Sequence, residues 1–308
     1  MPLAGGPDAF TLVRIGGVVL PAAQVPAEWR QRLTAPVPPW AGFAQPAVMG
    51  ILNVTPDSFS DGGRHLDPAR AIEAGIRMAA EGAAIVDVGG ETTRPGSQPT
   101  DPAEERRRIL PVIAGLAAAG VTVSADTRNS ETMRAALDEG ASIINDVSAL
   151  AHDPDAAGMI ARAGCPVVLM HMRHNPDVMT QRARYEDVAA EVVAELAQRV
   201  AAAEAAGIAR ANIAIDPGIG FGKTAAHNLA LLPRLAVLRS LGCRILVGVS
   251  RKGFIGKLAD APDPMARLPG SLAAGLHAIT MGATILRVHD VAASVQALRV
   301  WRGVGGIG

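Results

Sequence analysis

Aromatic residues are scarce in this chain: five Phe, three Trp and one Tyr make up 3% of its 308 residues. That argues against the stacking platforms that hold single-stranded nucleic acid. An excess of charge is missing too, since Lys plus Arg and Asp plus Glu each total 29 and the net charge is +0. Without a broad basic field there is nothing to grip a phosphate backbone, so no nucleic-acid partner is expected. The two cysteines, Cys165 and Cys243, sit in no CxxC spacing, which excludes a disulfide framework or zinc site. Each precedes an apolar run and reads as a small core residue, and such sparse cysteine use fits a reducing cytoplasm. No apolar run approaches the roughly 18 residues of a membrane helix, and the N-terminus lacks the basic-then-apolar signature of a signal peptide. HExxH, GxSxG and P-loop patterns are absent, and the glycine-rich loop Gly89–Ser97 has no GxGxxG pattern. Chemistry is therefore expected to depend on positioning and electrostatics, with no covalent nucleophile evident.

What the chain does have is 49% apolar residues, much of it gathered into eight short runs that each end in a reactive or polar side chain. They are VMGILN (Asn53), AAIVDVGG (Asp87), VTVSAD (Asp126), SIIND (Asn145, Asp146), PVVLMH (His171), IAIDPG (Asp216), ILVGVSRK (Ser250–Lys252) and TILRVHD (Arg287–Asp290). Near-continuous Val, Ile and Leu marks parallel strands covered on both faces. Helical stretches are expected at 67–82, 101–119, 130–139, 155–163, 185–206, 226–241, 265–282 and 290–302. Asp67-Pro68 and Asp101-Pro102 read as helix starts, an N-cap followed by proline at the first helical position. The alternation predicts an α/β fold, a (β/α)8 TIM barrel over 47–308, with all strand carboxyl ends meeting at one mouth. Residues 1–46 contain Pro21, Pro26, Pro36, Pro38, Pro39 and Pro46 and differ in character. Proline at that density forbids a long helix or central strand; an extended arm packed on the barrel is expected, with a short hairpin around LVRIGGVVL.

The strand ends name the candidate site. Asp126 and Asp216 at the top of a barrel require N–H donors to offset burial. Together with Asn145 they suit a flat heterocycle carrying ring N–H and amino groups, gripped by paired hydrogen bonds. Either aspartate can instead cap a following turn. Ser250-Arg251-Lys252 and Arg287-Val288-His289 follow the last two strands, where barrels of this kind bind phosphate. Arg offers a planar fork and Lys a point charge, and His289 either donates to an oxyanion or titrates near neutrality. Alternation puts Arg287 and His289 on the same side of their strand. The blander readings are a solvated basic turn for the first triplet and a carboxylate partner for Arg287. His171 reads as a wall residue. Two long connections, Thr55 to Leu66 and Thr92 to Thr100, have the length of functional lids.

These blocks taken together resemble the dihydropteroate synthase family. VMGILNVTPDSFSDGG, IVDVGGETTRPGS, SADT, IINDVS, VVLMHM, IDPGIGFGKT, GVSRKGFIG and ILRVHDV occur in the family's order across about residues 47 to 291. The resemblance implies condensation of 4-aminobenzoate with (7,8-dihydropterin-6-yl)methyl diphosphate. It implies that Asp126, Asn145, Asp216 and Lys252 hold the pterin ring, with Met170 and Phe221 lining the pocket. Asn53 matches the position that binds Mg2+ on the diphosphate, and Thr93, Arg287 and His289 match its anion contacts. Thr93, Arg94, Phe59, Ser250 and Lys252 lie in segments expected to build the aminobenzoate side, and Asp61 is expected near the methylene carbon as positive charge develops. A homodimer through the outer helices is also implied. A pterin-binding methyltransferase domain shares the barrel and the Asp/Asn/Asp cradle but has no use for a diphosphate clamp, and a non-catalytic scaffold has no need of Lys252.

Overall fold

The computed structural model describes residues 10–15, 18–36, 40–43, 46–55, 67–91, 100–173 and 183–305. The barrel strands are β3 (Ala47–Asn53), β4 (Ile85–Gly89), β5 (Val123–Asp126), β6 (Ile143–Asp146), β7 (Val167–Met170), β8 (Ile213–Asp216), β9 (Arg244–Val247) and β10 (Ile285–Val288). All pair in parallel and close on themselves in the order β10-β3-β4-β5-β6-β7-β8-β9. Each of the eight apolar runs thus forms one strand. Before them stand an antiparallel ribbon, β1 (Leu12–Ile15) with β2 (Val18–Pro21), and helix α1 (Ala27–Thr34).

Outside the sheet lie α2 (Pro68–Ala80), α3 (Pro102–Ala118), α4 (Ser130–Asp138), α5 (Ala156–Ala163), α6 (Val188–Ala205), α7 (Ala225–Leu231), α8 (Gly253–Leu258), α9 (Leu268–Thr280) and α10 (Val291–Gly305). The Asp-Pro starts do what their chemistry dictates. Asp67 accepts from the Ala69 N–H at 3.0 Å, and Asp101 from Ala103 and Glu104 at 2.9 and 3.2 Å. Two helices differ from the expectation. The stretch 226–241 is α7 followed by a 3-10 segment, Leu232–Leu241, because Pro233 has no N–H to continue the α ladder. In 265–282, a 3-10 turn (Pro264–Arg267) precedes α9, which begins at Leu268-Pro269 where proline is tolerated. The six-residue α8 was not anticipated.

Side chains alternate across each strand, and the two sets have different destinations. Val86, Val88, Ile144, Leu169, Ile215, Val247 and Leu286 point outward and pack under the helices, against residues such as Ile109, Ile113 and Leu116. Met49, Ile85, Ile143, Val168, Ala214, Leu246 and Ile285 point inward and form an apolar floor across the lumen. Trp40 belongs to that inner cluster, buried to 2% exposure, and its indole N–H donates to the Asn212 carbonyl at 2.9 Å. The proline-rich arm therefore closes the amino end of the barrel with its one buried tryptophan.

Candidate active site

Two residues further along five of the strands that build the floor, the inward side chains turn polar or adaptable: Ile85 gives way to Asp87, Ile143 to Asn145, Val168 to Met170, Ala214 to Asp216 and Ile285 to Arg287. Asp126 joins them from β5, where its Cα pairs with Asn145. The period of two is the whole reason these residues share one storey.

Arg287 organises one half of it. Its Nε donates to Asp87 Oδ2 and its Nη2 to Asp126 Oδ2, both at 2.6 Å. Asp87 Oδ2 also accepts from Asn145 Nδ2 at 2.9 Å, so one carboxylate oxygen braces both the arginine and the amide. Burial works against the Arg287 charge, but Asp87 and Asp126 beside it hold its pKa above the ordinary value. Asp126 is pushed up to about 7, chiefly by burial, with the Asp87 charge adding and Arg287 opposing. One guanidinium shared by two carboxylates leaves the outer one short of neutralisation. The plainer reading of Arg287, a carboxylate partner, thus describes its contacts in this structure, and Asp126 caps no helix.

The other half centres on Asp216 and Lys252. Asp216 Oδ1 accepts from the Gly218 N–H at 2.7 Å, so this aspartate also shapes the turn that follows. Burial raises its pKa, with the Gly218 N–H and Lys252 opposing. Lys252 Nζ donates to the Ile219 carbonyl at 2.6 Å and lies 4.2 Å from the centre of the Phe221 ring. Burial lowers its pKa to about 8, against the pull of Asp216. Met170, buried at the end of β7, has Asp216 as its Cα partner.

At the mouth, Ser250 Oγ accepts from the His289 backbone N–H at 3.2 Å and lies 3.0 Å from His289 Nδ1. His289 does not titrate near neutrality here: burial, with Arg251 and Arg287 adding, lowers it to about 4. Arg251 is neither a solvated turn residue nor a free anion contact. It is held by Asp290, with Nη2 and Nε at 2.5 and 3.0 Å from its oxygens. Asn53 ends β3, half-buried. Phe59, Asp61, Thr93 and Arg94 lie outside the described residues.

Sequence reasoning gave no site role to two residues now seen against this storey. Asp87 was named as the reactive residue of its run but given no role, although a period of two from Ile85 turns it inward. Lys223, in the glycine loop after β8, is buried beside His171, with Nζ 2.8 Å from Nδ1. His171 is the wall residue expected, and its Nε2 lies 2.9 Å from Glu195 Oε2. Both cysteine thiols are raised by burial, Cys243 to about 12, and neither lies in this layer.

The chain resembles known proteins across most of its length. The pterin binding enzyme family matches residues 49–289. The dihydropteroate synthase of Mycobacterium leprae is 50% identical over 263 residues, covering 82% of this chain and 91% of that protein. Among solved structures, dihydropteroate synthase of Xanthomonas albilineans with 4-aminobenzoic acid superposes with a TM-score of 0.81 at 44% identity, covering 97% of this chain and 99% of the other. The same organism's enzyme in complex with 7,8-dihydropteroate gives 0.78 at 47% identity, covering 86% and 95%.

Proposed function

This chain belongs to the pterin binding enzymes and, within them, to the dihydropteroate synthases, and from that premise we propose how its own residues divide the work. The enzyme is a transferase that condenses 4-aminobenzoate with (7,8-dihydropterin-6-yl)methyl diphosphate, giving 7,8-dihydropteroate and pyrophosphate. A C–N bond forms at the methylene carbon, the C–O bond to the diphosphate breaks, and the amine gives up a proton to solvent. The aniline nitrogen is nucleophilic as it stands, so no strong base is required.

The observation that carries the assignment of residues is the single polar storey in which Asp126, Asn145, Asp216, Lys252 and Arg287 face one lumen. Asp126 and Asp216 are acceptors matched to the pterin's amino group and ring N–H. Asn145, held by Asp87, contributes an amide of fixed orientation. Lys252 donates to the ring's oxygen, and Met170 and Phe221 supply the apolar walls. Arg287 and His289 take the diphosphate. His289 is neutral at pH 7, and a Ser250 hydroxyl donating to Nδ1 leaves Nε2–H to donate to the anion. Asn53 fits a magnesium ion carried in on the diphosphate, since one neutral oxygen donor suffices where phosphate oxygens supply the remaining charge. Such an ion, when bound, spreads the charge of the departing diphosphate. In the same reading Phe59, Thr93 and Arg94 complete the aminobenzoate side, Thr93 also contacts the diphosphate, and Asp61 stands near the methylene carbon as positive charge develops there.

The reading also carries a homodimer and a cytoplasmic location. Sedimentation of the purified chain tests the first and fractionation of the source cells the second; among the described residues no helix is long and apolar enough to cross a membrane. The test of the activity is direct. Purified chain with both substrates and magnesium is expected to yield dihydropteroate and one pyrophosphate per turnover, and absence of both products would overturn it.

A further inference from the structure

Behind the Asp216 side of the pocket lies a buried polar chain that the reaction itself does not use. Lys223 is 4% exposed, and its Nζ reaches His171 Nδ1 at 2.8 Å and the carbonyls of Gly218 and Phe221 at 3.1 Å each. An ammonium has three N–H donors and no acceptor. Three donors thus meet the three nearest acceptors, with the His171 carbonyl a longer fourth contact at 3.5 Å, whereas a neutral amine has only two N–H donors to offer them. Nδ1 as acceptor fixes the His171 tautomer, so Nε2–H donates to Glu195 Oε2 at 2.9 Å. Glu195 is held in turn by Arg173, which also pairs with Glu191 at 2.7 Å and lies 4.1 Å above the Tyr185 ring. The chain of contacts runs from α6, through the end of β7, into the loop after β8.

We propose that Lys223, braced by His171, is a positioning residue that sets the Asp216–Phe221 loop for the pterin ring. The proposal rests on the functional reading above. The loop has little reason to hold its shape unaided. Gly218, Gly220 and Gly222 all have left-handed backbones, with φ of 65°, 83° and 56°, and glycine loses the most conformational freedom on folding. The fit is close: a Cβ on Gly218 would fall 2.0 Å from the His171 carbonyl oxygen. Lys223 ties the two ends of this turn, and the Phe221 N–H closes it on the Gly218 carbonyl at 3.0 Å.

What the turn presents to the pocket depends on that tie. It delivers the Gly218 N–H to Asp216, the Ile219 carbonyl to Lys252 and the Phe221 ring beneath the Lys252 ammonium. Lys223 touches none of the reacting atoms and acts through these three. Burial brings its pKa down to about 7; Asp216 and Glu195 favour its charge, while Lys252 and Arg173 oppose it.

The test uses the full chain and 7,8-dihydropteroate as the calorimetric probe. Lys223→Met is expected to raise its Kd about tenfold or more, the usual loss for hydrogen bonds to a charged group. KM for pterin diphosphate should rise with it, and KM for 4-aminobenzoate by a smaller factor. At His171, Asn keeps an acceptor near the place of Nδ1 and Leu does not. His171→Asn is therefore expected to bind dihydropteroate about tenfold more tightly than His171→Leu. An unchanged Kd in Lys223→Met despite a lower melting temperature, or equal affinities for the two His171 variants, would overturn the proposal. Should Lys223→Met fail to fold, the His171 pair decides alone. Absence of product from the unaltered chain defeats the functional reading instead, which keeps the two failures apart.

Discussion

The floor of the barrel and the layer above it are built from the same strands, two residues apart, yet they are held together by different physics. The floor is apolar and capped by Trp40, so its cohesion is packing and exclusion of water. The layer above contains Asp87, Asp126, Asn145, Asp216 and Arg287, groups whose burial is unfavourable unless each finds a partner. The floor can lose a methyl group and still be a floor. The polar layer is conditional: its members satisfy one another, and a ligand enters only by offering contacts at least as good. A barrel can therefore keep one set of strands for stability at one end and recognition at the other.

Breaking the two layers separately should show this division. Arg287→Ala is the most severe cut in the upper layer, because it leaves Asp87 buried without its cation. Removing one partner of a buried pair costs about 3–5 kcal/mol of stability. The reaction barrier is expected to rise by about 3 kcal/mol as well, by analogy with a lost oxyanion donor. Denaturant melts and kcat/KM measure the two losses. Adding Asp87→Asn to Arg287→Ala should restore much of the stability and none of the rate. If the double variant regains activity, Arg287 is a structural cation only. Trp40→Ala is the matching cut in the floor. It is expected to cost about 3–5 kcal/mol, the range for a buried aromatic truncated to Ala, with kcat/KM of the folded fraction preserved. A parallel fall in kcat/KM would show that the layers are not separable.

The two layers were unequally legible from the sequence. Apolar runs bounded by turn residues fixed the eight strands, because a strand buried on both faces has few other compositions open to it. The residues at the strand ends were legible for the same reason, since period-two alternation carries the inward face onto Asp126, Asn145, Asp216 and Arg287. Pairing was not legible. Arg287 and Asp87 are 200 residues apart, and nothing local says that the arginine is already engaged. His171 was read as a wall and Lys223, 52 residues away, was given no reading, because only the closed barrel sets one against the other. Donation to an oxyanion and titration near neutrality were both open for His289, and the burial beside Arg251 and Arg287 that removes the second had to be seen. The break at Pro233 was written in the chain and was overlooked.

Two gentler changes sharpen the comparison within the upper layer. Asp216→Asn keeps the shape but replaces an acceptor-only group with a mixed one. Pterin affinity is expected to fall about tenfold or more, the scale of a hydrogen bond to a charged group, and calorimetry with dihydropteroate measures it. Unchanged affinity would remove Asp216 from the cradle.

The smallest effect is a pH profile, and its sign follows from the two shifted groups. Asp126 titrates at about 7, so below that pH it binds a proton and ceases to be a pure acceptor. A ligand that donates to the carboxylate must displace that proton, so affinity falls as pH drops through this range. Lys252 titrates at about 8, so above that pH it loses the charge with which it donates. Affinity falls again on the alkaline side. Pterin affinity should therefore peak between these two values, each limb declining by at most about tenfold per pH unit for one linked proton. Asp126→Asn should remove the acid limb and leave the alkaline one. An acid limb that survives in this variant would assign the titration to another carboxylate, and Asp216, whose pKa burial also raises, is the first to examine.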